Sequence, residues 1–283
     1  MSKPRFYILS WGPSKDLYPG AAAFEELVGK YPKAKRATRI TVADCTVGLI
    51  EYDTEKSRKY MILDTGMASN WDRIYGKMQE IGCRIEDVTH VLQTHWDEDH
   101  FENITYFSHH HPFCVWGGSG SHFDPVKGRI LILGTGIYLL TEDIYPDGYI
   151  EDKNIRFFYT YRAHSRDEMY FIIDSQNEGK VAFIGDLIHA PLYERPNIEY
   201  HLLRDQTYCL NVFRKYSCLK EIYEKNPDLK KIYAGHAAGP MTHKDLGDYI
   251  KFMEGKEYRA FMMKYVEKWK ETLTQYEEIL QNM

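Results

Sequence analysis

The sequence predicts an α/β protein in two halves, each a set of short strands followed by helix. Three observations carry this. Apolar runs of strand length recur along the chain and alternate with stretches of helical periodicity. The strands fall into two successive sets, one before and one after the middle of the chain. Strands from both sets end in a potential ligand, namely Asp64, His95, His164, Asp186 or His236. A chance acidic loop would not recur as a strand followed by His or Asp five times.

Arg5 to Leu9 reads as the first strand. Ser10 to Arg36 is a long connection rich in Gly, Pro and Lys, with a short helical segment at Ala22 to Gly29. Ile40 to Tyr52 alternates apolar and polar residues, as a strand or bulged strand does, and Tyr60 to Leu63 is its hairpin-like partner. That partner ends in Asp64-Thr65-Gly66-Met67. Trp71, Ile74, Tyr75 and Met78 give Asn70 to Ile81 a helical period, and Gly82 is a suitable stop. Val88 to Leu92 is a buried strand, His100 to Phe107 a helix and Phe113 to Trp116 a short strand. Residues 117–148 are Gly-rich and read as irregular around one apolar run, Ile130 to Leu133. Strands follow at Ile155–Tyr161, Met169–Ile173, Val181–Ile184 and Lys230–Tyr233. Helices are expected over most of Leu202–Tyr223, and at Lys244–Met253 and Lys256–Leu280.

The densest chemistry is His95-Trp96-Asp97-Glu98-Asp99-His100, directly after the Val88–Leu92 strand. Two imidazoles and three carboxylates packed this closely would repel or waste burial unless a cation sits among them. A metal ion, or two, is the natural occupant. The alternative is a solvated acidic loop.

The chain has 283 residues, 43% hydrophobic and 27% charged, which is ordinary for a globular protein. The net charge of −5 argues against a nucleic-acid surface. The N-terminus lacks the apolar region of a signal peptide, and no run approaches a membrane span. Five scattered cysteines form no CxxC pair. A cytoplasmic protein acting on a small molecule, with neither nucleic acid nor membrane as partner, is expected. Ser-based catalysis, a P-loop and a dinucleotide fingerprint have no support in the motifs.

Taken in order, these residues resemble the metallo-β-lactamase superfamily. Asp64-Thr65-Gly66 matches its Asp-Thr-Gly turn, and His95 to His100 its His-x-His-x-Asp-His signature. His164, Asp186 after Gly185, and His236 after Gly235 match the three later motifs. The match spans about residues 5–240. The resemblance implies a four-layer αββα sandwich with the site at one edge of its two sheets. It implies a single domain over 1–283, with a helical extension at about 241–283. Within the superfamily the N-acyl homoserine lactonase-like hydrolases look most similar, through Leu63 to Met67, the chain size and the separation of His164 from Asp186.

The resemblance also implies a ligand set: His95, residue 97 and His164 for one metal, Asp99, His100 and His236 for a second, and Asp186 between them. Here residue 97 is Asp rather than His. With a third carboxylate, a cluster of two divalent ions and one hydroxide is formally neutral rather than positive, hence a weaker Lewis acid. It suits iron or manganese better than zinc alone. Flavodiiron proteins resemble this chain in carrying a carboxylate at that place. Glu102 stands where many relatives have Gly, and is placed either against a ligand His or in solvent.

His189 and Arg162 are candidates for touching substrate, by hydrogen bonding and by binding an anionic group. His109-His110-His111 is not read as a metal site, because consecutive side chains point apart and Pro112 closes the segment. The last helix carries Tyr258, Phe261, Met262, Tyr265, Trp269, Tyr276, Ile279 and Leu280 mainly on one stripe. It either packs on its own domain, roofs a pocket or joins a homodimer.

The expected activity is metal-dependent hydrolysis of a small ester-like substrate, a lactone first, by attack of a metal-activated hydroxide. Asp99 would ligate and relay a proton to the leaving alkoxide. The alternative is a non-hydrolytic diiron protein handling dioxygen or another small oxidant. A phosphodiesterase ranks below both.

Overall fold

The computed structural model describes residues 2–12, 15–16, 41–42, 45–109, 129–132, 138–140, 147–160, 162–165 and 168–264. The first strands are β1 (Arg5–Ser10), β2 (Lys15–Asp16), β3 (Thr41–Val42), β4 (Val47–Asp53), β5 (Arg58–Leu63) and β6 (Val88–Leu92). Helix α1 (Trp71–Ile81) joins β5 to β6, and α2 (Glu98–Phe101) and α3 (Ile104–His109) follow. Next come β7 (Arg129–Ile132), β8 (Tyr138–Leu140), β9 (Tyr149–Ile150), β10 (Asp152–Tyr159), β11 (Met169–Ser175) and β12 (Gly179–Phe183). Helices α4 (Ile198–Tyr208) and α5 (Val212–Lys225), strand β13 (Lys231–Tyr233) and helix α6 (His243–Met253) complete the order.

Alternation along the strands divides their side chains between cores, because successive residues face opposite sides of a sheet. On β4 and β5, Ile50, Tyr52, Met61 and Leu63 face one core, while Val47, Leu49, Tyr60 and Ile62 face another. On β11 and β12, Phe171, Ile173, Val181 and Phe183 join the first of these, while Tyr170, Ile172 and Ala182 face a third. The shared core lies between the sheets. Ile74 and Met78 of α1, with Ile104 and Phe107 of α3, cover the outer face of the first sheet. Leu219, Ile222, Leu246, Ile250 and Met253 of α5 and α6 cover that of the second. Four layers of the order αββα result.

The first sheet runs β1-β4-β5-β6-β7-β8, the second β13-β12-β11-β10-β9, and β2-β3 form a separate ribbon. Only β5–β6 and β12–β13 are parallel among these pairs. Parallel neighbours end on the same edge of a sheet. The ends of β5 and β6 lead into Asp64 and His95, and those of β12 and β13 into Asp186 and His236. The β10–β11 loop, which carries His164, opens on that edge too, since β11 runs antiparallel to β12. Main-chain bonds stitch the sheets together there, Met169 N–H to Thr94 O and Thr46 N–H to Gly235 O, and Gly235 N–H to Gly185 O ties the ends of β13 and β12, each 2.7 Å.

Several expectations shift. The 117–148 stretch is not wholly irregular: β7 and β8 within it extend the first sheet, β7 pairing antiparallel with β6. The helix expected over His100–Phe107 is two short helices, α2 and α3. Helix α1 ends as expected, with Gly82 at φ 83° in the left-handed region that Gly enters without a Cβ clash. Residues 256–264 are helical, and Tyr258 and Met262 are buried in the core of the second sheet's helices. Tyr265, Trp269, Tyr276, Ile279 and Leu280 lie outside the described residues, as do the Ala22–Gly29 helix, the Phe113–Trp116 strand and His110-His111. Among the described residues no helix is long and apolar enough to cross a membrane.

Candidate metal centre

Asp64 closes β5 in a left-handed conformation, φ 53°, which the short polar side chain of Asp tolerates. It is fully buried, and three donors hold its carboxylate. Thr94 N–H donates to Oδ1 at 2.7 Å, and the Thr94 hydroxyl to Oδ2 at 2.8 Å. The Nδ1–H of His100 donates to Oδ2 at 2.8 Å. With its proton committed to Asp64, Thr94 Oγ1 accepts from the Nδ1–H of His95 at 3.0 Å. Both imidazoles are therefore fixed from behind, leaving Nε2 as the forward nitrogen.

Those forward nitrogens meet others. His95, His164 and Asp186 bring one ligand atom each within 4.8 Å of one another, and so do Asp99, His100 and His236. Asp186 lies between the groups: Oδ1 is 3.3 Å from His100 Nε2, and Oδ2 is 3.2 Å from His236 Nε2 and 3.7 Å from His164 Nε2. Asp97 Oδ2 is 3.5 Å from His95 Nε2 and 3.4 Å from His164 Nε2, which places it with the first group. Asp99 Oδ2 is 3.2 Å from His236 Nε2. Asp97 has a side chain 51% exposed, against 18% for Asp99 and less for the other five.

Charge compensation inside this cluster is incomplete. Burial works against every ionised form here, and the mutual attraction of acid and imidazole overrides it. Burial would raise Asp97, Asp99 and Asp186, yet the facing imidazoles hold all three below the ordinary carboxylate range. Burial would lower His236, yet Asp186 and Asp99 lift it to about 9, and His100 and His164 are also raised. Even so, His95 Nε2, His100 Nε2 and Asp186 Oδ1 are buried without a hydrogen bond. Buried polar atoms rarely go unpaired, and three converging on one place fit a divalent cation. The donors are imidazole nitrogen and carboxylate oxygen, a set that suits zinc, iron or manganese. Cys45 also approaches Asp64 and His100, but burial pushes its thiol up to about 12, and a thiol in that form is a poor ligand.

All seven expected ligand residues thus converge. His189 lies at the edge of the second group, its ring stacked on His236 at 4.1 Å. Arg162 is half-buried at φ 72°, and among the described residues no hydrogen bond or ion pair joins it to the cluster. Glu102 reaches neither a ligand His nor open solvent alone: its Oε2 accepts from Ala68 N–H at 2.7 Å, holding the turn after Gly66.

Three contributors have no signal in the sequence, and a fourth, Gly235, has one without its reason. Thr94 orients His95 through Asp64, as described above. Glu168 is buried, and its Oε2 accepts from His164 N–H and Thr160 Oγ1 at 3.0 Å each, which fixes the loop bearing His164. Tyr200 Oη lies 2.7 Å from His189 Nδ1. Gly235 leaves room for Asp186, whose carboxylate a Cβ there would strike. The Gly preceding His236 was visible in the sequence; the other three depend on contacts across elements.

A metallo-beta-lactamase superfamily profile matches residues 40–236. No curated protein matches the chain. Among solved structures, a Thermotoga maritima protein described as a metallo-beta-lactamase is similar at 19% identity and a TM-score of 0.52, over 85% of this chain and 99% of that one. A quorum-quenching N-acyl homoserine lactone lactonase is similar at 17% identity and a TM-score of 0.45, over 84% and 92%. An N-acyl homoserine lactone hydrolase with its product at the catalytic metal centre is similar at 15% and 0.46, over 84% and 94%. With its four layers, its five ordered motifs and a profile match over most of its length, this chain belongs to the metallo-beta-lactamase superfamily.

Proposed function

We propose that the protein is a metal-dependent hydrolase of a small ester-like substrate, with a lactone as the first candidate. Members of the superfamily are mostly metal-dependent hydrolases. The observation that carries the reading is that His95 Nε2, His100 Nε2 and Asp186 Oδ1 are buried without a hydrogen bond among two groups of ligand-type side chains.

In this reading His95, Asp97 and His164 would hold one divalent ion and Asp99, His100 and His236 a second, with Asp186 available to either. Zinc fits the imidazoles, and iron or manganese fits the extra carboxylate of Asp97. Bound ions would polarise the substrate carbonyl and lower the pKa of a water. The chain's own groups do the rest. Asp64, Thr94 and Glu168 hold the imidazoles and their loops in place before substrate arrives. Asp97, the most exposed of the seven, marks the open side, past which substrate reaches the centre. Asp99 would keep one carboxylate oxygen toward His236 and use the other to take the proton released by the attacking water and hand it to the leaving alkoxide.

Metal-replete protein should open lactones or esters, and chelation should abolish that activity. Assay against lactones, thioesters and phosphodiesters checks this; no turnover of any class by metal-replete protein sinks it. A second reading, a non-hydrolytic diiron centre, rests on Asp97. Iron in elemental analysis with a visible band that responds to air would favour it, and a colourless, zinc-loaded, active protein would remove it.

A further inference from the structure

His189 follows the short helical turn at Gly185–Leu187 that carries Asp186, and the sequence reading gives it to substrate. Its surroundings instead repeat those of the ligand-type imidazoles. His100 has Nδ1 on Asp64, and His95 has Nδ1 on Thr94. His189 has Nδ1 on Tyr200 Oη, at 2.7 Å. In each case an oxygen stands behind the ring and leaves Nε2 as the forward nitrogen, the arrangement that fixes metal-ligating histidines.

His189 also stands among ligand-type side chains. Asp186, His189 and His236 each place one ligand atom within 4.8 Å of the others. The His189 and His236 rings stack with planes 24° apart, and His236 N–H donates to His189 O at 3.1 Å, so the two are held as a unit.

We infer that His189 is a further metal ligand, completing with Asp186 and His236 a divalent-cation site that overlaps the second group, and that Tyr200 is its positioning residue. The fifth imidazole then belongs to the second group, while Asp97 leaves the first group with two. A metal on Nε2 selects the tautomer in which Nδ1–H donates to Tyr200 Oη. The inference rests on the metal-centre reading of the cluster.

The test titrates metal-free protein with Zn²⁺ against a chelating indicator and with Co²⁺ followed by visible absorption. Wild type is compared with His189→Ala, Tyr200→Phe and a remote control, His243→Ala, whose ring stacks on Tyr223. Tyr200→Phe should weaken one Zn²⁺ by roughly 10–100-fold, and His189→Ala by at least as much, with altered Co²⁺ bands in both and none in the control. Wild-type affinities and spectra in both variants overturn the inference. So does a raised KM with unchanged metal affinity, which returns His189 to substrate. If His189→Ala does not fold by circular dichroism, Tyr200→Phe, which keeps the ring and its packing, decides alone. Wild type that binds no Zn²⁺ fails the metal-centre reading itself, a separate outcome.

Discussion

Among the described residues, two clusters of buried charge are built on opposite terms. At the sheet edge, Asp97, Asp99 and Asp186 face four imidazoles and still leave His95 Nε2, His100 Nε2 and Asp186 Oδ1 without a hydrogen bond. In the helical layer over the second sheet, Lys215 Nζ on α5 donates to Asp205 Oδ1 on α4 at 2.6 Å. The Tyr258 hydroxyl donates to Asp205 Oδ2, and Lys215 Nζ also reaches Tyr249 Oη on α6 at 3.4 Å. This second cluster carries its own permanent cation. Burial alone would lower the Lys215 pKa, and Asp205 more than restores it. The first cluster has acids and ligands but no permanent cation, and draws protons onto its imidazoles instead. The closed set is neutralised within the chain; the open set leaves ligand-type atoms that could hold a metal ion.

The largest effect that separates the two should come from Lys215→Met. Removing one partner of a buried pair leaves Asp205 uncompensated, so unfolding in denaturant should show a loss of about 3–5 kcal/mol. Zn²⁺ affinity of the folded variant should stay at the wild-type value. A matching fall in metal affinity would mean that the clusters are not independent.

Asp64→Asn should act on metal binding, which Lys215→Met leaves alone. The amide keeps the shape but loses the charge behind His100 and sets an NH2 against donors at one of its two positions, so metal affinity should fall by roughly 10–100-fold, and the metal-free protein should lose about 1–3 kcal/mol of unfolding free energy. Competition with a chelator measures the first, denaturant titration the second. Unchanged affinity would break the assignment of Asp64 as the group that orients His100.

The smallest effect is a pH dependence confined to the open cluster. His236 has a folded pKa of about 9, above its ordinary value of about 6.5. The stability from that proton is complete below about 6.5 and is lost as pH rises through about 9. His100 and His164 are raised too and add with the same sign. The Tm of metal-free protein should therefore decline across that window. Metal-loaded protein should not follow, because its ligands bind as neutral imidazoles. Parallel pH profiles for the two forms would contradict the assignment.

Much of the site was legible because its residues sit where strands end. His95, Asp186 and His236 each follow an apolar run, and a period-two run announces its own end. Val88–Leu92 is the observed β6, residue for residue. The helix stop at Gly82 was legible for the same local reason. The 117–148 stretch misled because β7 and β8 are short and Gly-rich surroundings mask them; pairing to β6 makes them strands. Glu102 misled because its partner, Ala68 N–H, lies 34 residues earlier in the chain. Arg162 drew attention by standing near His164 in sequence, yet the chain turns through a left-handed residue there.

The sequence by itself determined the kinds and order of the ligands, because imidazoles and carboxylates after strand ends are a local pattern. It determined the layer periodicity for the same reason. Only the tertiary structure decided which groups stand behind the imidazoles. Asp64 behind His100, Thr94 behind His95, Tyr200 behind His189 and Glu168 behind the His164 loop are contacts between side chains brought together by strand register and helix packing, which no spacing along the chain encodes. Only the fold, too, showed that one buried charge cluster is closed and the other open, since Lys215 and Asp205 lie on different helices and meet only when α4 packs on α5.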